Sequence, residues 1–302
     1  MDYAQIIKDI GRGSKGARDL NRDGARALFA DLLAGRVPEL ELGAIMLSLR
    51  IKGETADELA GFSQALAAAT QTIASPAGPR VVVLPTYNGG RKEANLMPLV
   101  AQLLAREGVP VLIQGRHDFE TRTDPFTLLA ALDLYPARDL ATVATQLQES
   151  RLAVAPVDLF CPGLVNLLAL RPRLGVRNVA HTLAKFIDPC PGHSVRVIPM
   201  THPHFLTAMQ DMLTASQATA LLMRGTEGEA YANPRRRPEF IGFVNGEKTI
   251  LAEAEAMTVA PEAQADCSVD ANAALIRAML AGNVPIPQPV LDQVVAIKSL
   301  AC

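Results

Sequence analysis

The sequence predicts an α/β fold with a largely parallel central sheet, preceded by a small all-helical domain. Three observations carry this. Apolar positions recur at helical spacing through the first seventy residues, S-P-A-G-P at Ser75–Pro79 breaks the chain, and short apolar runs then alternate with helical segments. The 302 residues, 49% of them hydrophobic, suffice for one large core or two moderate ones.

Asn21 is an N-cap for a helix with Ala25, Leu28, Phe29 and Leu32 on one face, and Gly35 stops it. T-A-D-E at Thr55–Glu58 has the spacing of a capping box and opens a helix ending near Thr70. Strands are predicted in the runs starting at Arg80 (RVVVLP), Val109 (VPVLIQ), Arg151 (RLAVAP), Ser194 (SVRVIP) and Ala218 (ATALLMR). Helices are predicted over 95–107, 125–132, 139–149 and 204–215. Asn245-Gly246 is a strong hairpin turn within 240–251, and helices over 271–280 and 290–299 follow. No period of 20 to 50 residues points to a repeat architecture.

Charge bounds the partners. A formal charge of -2 gives no global attraction to nucleic acid or acidic membranes, but the charges are unevenly spread. Leu159–Ile187 contains no Asp or Glu, while Arg171, Arg173, Arg177 and Lys185 are present with His181 among them. Thr226–Asp270 leans the other way, through Glu227, Glu229, Glu239, Glu247, Glu253, Glu255, Glu262, Asp266 and Asp270. The Arg235–Arg237 run inside it follows Asn233-Pro234 and reads as an exposed turn. A polyanion would therefore meet the basic half. No secretory leader is recognisable and no apolar run approaches the roughly 20 residues of a membrane span, so a cytoplasmic setting without a membrane partner is expected. Cys161, Cys190, Cys267 and Cys302 lie far apart without a C-x-x-C pair, and reduced, mostly buried thiols are expected.

G-R-G-S-K-G at Gly11–Gly16 spells a dinucleotide fingerprint, yet no strand precedes it and no βαβ unit surrounds it. It reads better as a glycine-rich connection in which Lys8, Arg12, Lys15 and Arg18 offer cations to phosphates. T-H-P-H at Thr201–His204 has no accompanying acidic or histidine ligands, so Pro203 starting a helix explains it better than a metal. No G-x-S-x-G elbow, partnered Cys–His pair or P-loop is present. No catalytic residue, metal ligand or cofactor is assigned.

The most informative stretch is L-P-T-Y-N-G-G-R-K-E-A-N, Leu84–Asn95. It places Tyr87, Asn88, Gly89 and Gly90 at the carboxyl end of a predicted parallel strand, where α/β sheets bind ligands. Glycines there let backbone N–H groups close on an anion, and Arg91 and Lys92 add positive charge. Its chemistry is basic rather than catalytic.

The helical start, this turn with Asn95 leading the next helix, R-L-G-V-R-N at Arg173–Asn178 and A-L-L-M-R-G-T-E-G-E at Ala220–Glu229 together resemble the anthranilate phosphoribosyltransferase family. The resemblance covers nearly the whole chain. It implies a helical, dimer-forming domain of residues 1–72 plus about 165–186, and an α/β domain of 78–164 and 187–302. The family's G-T-G-G-D turn, which wraps pyrophosphate, falls on Pro85, Thr86, Tyr87, Asn88 and Gly89, so glycines and the Asp are lost. Its hydroxyl-bearing N-I-S-T run falls on Asn95, Leu96, Met97 and Pro98, and its K-H-G on Ile113, Gln114 and Gly115. Its magnesium-holding Asp-Glu pair falls on Ala230 and Tyr231. Stabilising a departing diphosphate needs that metal and those donors.

Y-N-G-G-R-K-E-A-N-L, L-R-I-K-G-E at Leu49–Glu54, G-V-R-N-V-A-H-T-L-A-K at Gly175–Lys185 and G-T-E-G-E-A-Y-A-N-P at Gly225–Pro234 resemble the YbiB-type branch of this family, whose members bind nucleic acid without strong sequence preference. That resemblance implies a homodimer binding DNA or RNA without transfer chemistry, and the charge pattern supplies the expected contacts: Arg91 and Lys92 from the turn, Arg171, Arg173, Arg177 and Lys185 from the acid-free block, and Lys8, Arg12, Lys15 and Arg18 from the N-terminal segment. The alternative is a phosphoribosyltransferase acting on an aromatic amine or base, with Glu227, Glu229 and Asn95 as a divergent magnesium site.

Overall fold

A computed structural model describes residues 1–117, 119–201, 204–256 and 266–302. Along the chain run α1 (Tyr3–Ile10), α2 (Gly13–Gly16), α3 (Arg22–Leu33), α4 (Glu39–Lys52) and α5 (Ala56–Ala69). Then come β1 (Val81–Thr86), α6 (Met97–Arg106), β2 (Val111–Gly115), α7 (Pro125–Ala131), α8 (Leu140–Glu149) and β3 (Leu152–Pro156). Next are α9 (Pro162–Leu168), α10 (Arg171–Leu174), α11 (Ala180–Leu183), β4 (Ser194–Met200), α12 (His204–Ala215) and β5 (Ala220–Arg224). The chain continues through β6 (Arg236–Arg237), β7 (Phe240–Val244), β8 (Glu247–Ala252), β9 (Glu255–Ala256), α13 (Val269–Leu280) and α14 (Gln288–Ala301).

Contacts divide the chain into a helical unit, Met1–Gln71 with Val157–Pro189, and an α/β unit, Thr72–Pro156 with Cys190–Cys302. In the helical unit, the predicted starts form as their chemistry requires. Asn21 accepts from the Gly24 N–H at 2.8 Å, and the Thr55–Glu58 capping box closes in both directions. Glu58 is fully buried and also takes the Leu20 N–H at 2.9 Å and the Lys52 ammonium at 2.7 Å, which reaches Asp19 at 2.7 Å as well. Burial works against the Lys52 charge, but hydrogen bonds to Asp19 and Glu58 and their negative charges outweigh it, so the ammonium is held above its ordinary pKa. Lys52 is thus a structural cation. The glycine-rich connection at 11–16 contains the single helical turn α2.

Helix α4 is apolar on two faces. Ile45, Met46 and Leu49 are fully buried, while Leu40, Leu47 and Ile51 are 82%, 42% and 58% exposed. At about 100° per residue, Leu40, Ala44, Leu47 and Ile51 share an arc of about 60° opposite the buried set.

In the α/β unit the sheet order is β3-β2-β1-β4-β5-β7-β8, parallel through β5 and antiparallel in the last two. Each predicted strand is present. Asn245 and Gly246, both at positive φ, turn the β7–β8 hairpin. β1 and β2 are buried along their whole length, as strands covered on both faces must be, and Val82, Leu84, Val111 and Ile113 join side chains of α6 and α14 in one core. Cys161 and Cys190 are buried, but Cys267 is half-buried and Cys302 exposed, so burial accounts for fewer thiols than expected. His202, Pro203 and Glu262 lie outside the described residues. No described helix is long and apolar enough to cross a membrane.

Candidate functional site

Strand order reverses between β1 and β4, and the turn after β1 opens at the carboxyl end of that switch point. Thr86 ends the strand and the chain curls through Tyr87, Asn88 and Gly89. Gly89 has φ +71°, and a Cβ there would lie 2.1 Å from the Thr123 carbonyl oxygen, so only glycine completes the curl. The Tyr87 hydroxyl donates to Gln114 at 2.6 Å, which pins the ring in the interior.

The curl aims three successive N–H groups at one point, and that point is occupied by a carboxylate of the same chain. Glu229 Oε1 accepts from the N–H groups of Tyr87 at 3.2 Å, Asn88 at 2.8 Å and Gly89 at 3.1 Å. Its Oε2 accepts from the Thr86 hydroxyl at 2.5 Å and the Asn95 amide at 3.3 Å. Glu229 is 1% exposed. Two residues earlier, Glu227 Oε2 accepts from the N–H groups of Arg91 at 2.7 Å and Lys92 at 3.2 Å. The predicted phosphate turn is therefore an anion nest, and acidic residues of the loop after β5 fill it.

That loop is fixed from several sides. Glu229 N–H donates to Thr226 O at 2.9 Å, closing a tight turn with Glu227 at φ +54° and Gly228 at φ +93°. The Asn88 amide holds Gly228 O at 3.0 Å, and Arg122 reaches Glu227 O at 3.2 Å. Ala230 and Tyr231, on which the magnesium pair of the transferases falls, are buried, and the Tyr231 hydroxyl donates to Ala94 O at 2.9 Å. Burial, followed by the negative charges of Glu93, Glu227 and Glu229, pushes that hydroxyl well above its ordinary pKa, which keeps it a donor. The donor set does not fit a metal-bound diphosphate. Both Glu229 oxygens already accept hydrogen bonds, and the nest that would hold the diphosphate is taken. Among the described residues, no group of three or more His, Cys, Asp or Glu is arranged to hold a metal ion.

Arg91 and Lys92 are exposed, and Glu227 engages them through their backbone. In the helical unit, Lys8, Arg12, Lys15 and Arg18 are exposed in one α1–α2 stretch. The Arg12 Nε donates to Lys8 O at 2.9 Å, and Arg18 lies 3.9 Å from Asp9. The acid-free block behaves differently. Arg173 is exposed but paired with Glu39 of α4, and Arg171, Arg177 and Lys185 are half-buried and engaged in interactions of their own. Freedom from acids along the chain is not freedom in space. Sequence reasoning missed the meeting of Glu229 with the turn, the Gln114 pin on Tyr87, and Arg122.

Residues 4–70 match a glycosyl transferase family, helical bundle domain. A protein of Escherichia coli (strain K12) described as "Uncharacterized protein YbiB" is 42% identical over 294 residues, covering 95% of this chain and 91% of that protein. An anthranilate phosphoribosyltransferase of Halobacterium salinarum (strain ATCC 29341 / DSM 671 / R1) is 25% identical over 290 residues, or 94% of this chain and 84% of the enzyme. Among solved structures, the anthranilate phosphoribosyltransferase of Thermus thermophilus superposes with a TM-score of 0.77 at 22% identity, covering 100% of this chain and 88% of its own. The Saccharomyces cerevisiae enzyme in complex with PRPP and Mg gives 0.71 at 13% identity, with 99% and 93% covered. Likeness of sequence along nearly its full length and likeness of fold agree, and the chain belongs to the anthranilate phosphoribosyltransferase-like, YbiB-type family.

Proposed function

We propose that this protein is a cytoplasmic, non-catalytic nucleic-acid-binding protein that meets the phosphate backbone of DNA or RNA without reading its sequence. The observation that carries the reading is the filled nest. A turn that commits five backbone N–H groups to Glu229 and Glu227 cannot offer the same donors to a sugar diphosphate, while the Arg91 and Lys92 side chains extend from it into solvent. Such cations suit a polymer's phosphates, which need charge rather than enclosure. Lys8, Arg12, Lys15 and Arg18 supply a second exposed basic stretch. Arg173, paired with Glu39, and the engaged Arg171, Arg177 and Lys185 contribute less than their number suggests. Aromatic residues are 4% of the chain with no Trp, which argues against a base-stacking platform.

The test is binding of a random-sequence oligonucleotide across salt concentrations. Four to six phosphate contacts give a slope of log K against log salt of about -4 to -5, a loss of about 500-fold for five contacts between 50 and 200 mM. A flat response rules out this mode.

The second apolar face of α4 supports a homodimer. An exposed Leu40, Leu47 and Ile51 stripe is better covered than solvated, and the family resemblance implies a second copy. Leu47→Glu is expected to yield a monomer by analytical ultracentrifugation at concentrations where the parent sediments as a dimer. A monomeric parent would remove this part of the reading.

A further inference from the structure

The geometry around Glu229 is that of a bound ligand. Three consecutive backbone N–H groups, a hydroxyl and a side-chain amide converge on its two oxygens, the donor types with which turns grip small oxyanions. The side chain is buried, and the Thr226–Glu229 turn delivers it while Asn88, itself part of the nest, holds Gly228. A Cβ on Gly228 would sit 2.5 Å from the Asn88 amide nitrogen, so the loop and the nest are fitted to each other. A carboxylate tethered this way presents itself at high effective concentration and displaces free anions by mass action.

We propose that Glu229 is the resident ligand of this nest, an intramolecular substitute for a small oxyanion. The nest is a latent site for phosphate- or carboxylate-class anions, closed to them while that side chain is in place. The proposal concerns the α/β unit alone and stands or falls without reference to nucleic acid.

Chemical rescue tests it. In Glu229→Ala, inorganic phosphate or acetate at about 20 mM is expected to raise the melting temperature by about 2–4 °C in a saturable way, with chloride at equal ionic strength inactive. The parent is expected to show no such response, and phosphate is expected to bind the variant at least about tenfold more tightly. A variant indifferent to both anions, or a parent that responds equally, overturns the proposal. Should the variant fail to fold, amide exchange in the parent decides. The Tyr87, Asn88 and Gly89 amides are expected to exchange slowly and to be unaffected by about 50 mM phosphate. Fast exchange that slows only when phosphate is added overturns the proposal.

Discussion

Replacing Glu229 by alanine is expected to destabilise the α/β unit by about 3–5 kcal/mol, because it leaves a buried, charge-assisted hydrogen-bond set without its acceptor. Five donors lose their partner at once: the N–H groups of Tyr87, Asn88 and Gly89, the Thr86 hydroxyl and the Asn95 amide. Glu229→Gln should cost less, about 1–2 kcal/mol. Its carbonyl oxygen keeps the three backbone N–H groups, and the Thr86 hydroxyl turns to accept from the new amide. Asn95 is left facing a donor, and it cannot flip without loss because its Oδ1 accepts from the Met97 N–H at 3.1 Å. Urea unfolding of the two variants reads this order directly. If both lie within about 1 kcal/mol of the parent, in the range of an ordinary surface change, Glu229 does not hold the turn in place.

Reversing the charges in an Arg91→Glu, Lys92→Glu double variant is expected to weaken oligonucleotide binding by about 60-fold at 0.1 M salt and to make the salt slope shallower by about 2. The estimate counts two lost phosphate contacts and takes about 0.9 released counterions for each. The fold should survive, since both side chains are exposed and the bonds to Glu227 come from their backbone N–H groups. A melting temperature close to the parent's, together with the shallower slope, identifies a surface contact. An unchanged slope would mean the polymer passes elsewhere, with the α1–α2 stretch of Lys8, Arg12, Lys15 and Arg18 the first place to look.

The fold was legible in the sequence because its signals are local. Alternating apolar runs mark strands, Thr55 and Glu58 sit one helical turn apart, and Asn245-Gly246 needs no distant partner to turn a hairpin. The place of the turn was legible for the same reason: glycines directly after a buried strand. Its occupant was not. Glu229 lies about 140 residues from the turn it fills, and a glutamate between glycine and alanine reads like any loop acid until the fold brings it home. The signal that could have found it is one of mismatch, since Thr86 and Asn95 remain as donors although the metal pair and hydroxyl run of the transferases are gone. Likewise, the block from Leu159 to Ile187 is free of acids only along the chain, because Glu39 arrives from α4 to neutralise Arg173.

Titration calorimetry with phosphoribosyl diphosphate and Mg²⁺, followed by assay for released pyrophosphate in the presence of an aromatic amine, asks directly whether the turn is closed to substrate. A nest already holding Glu229 predicts no saturable heat and no product. Heat saturating at micromolar concentration, with pyrophosphate released, would show that the carboxylate yields to substrate and that the protein is a transferase after all.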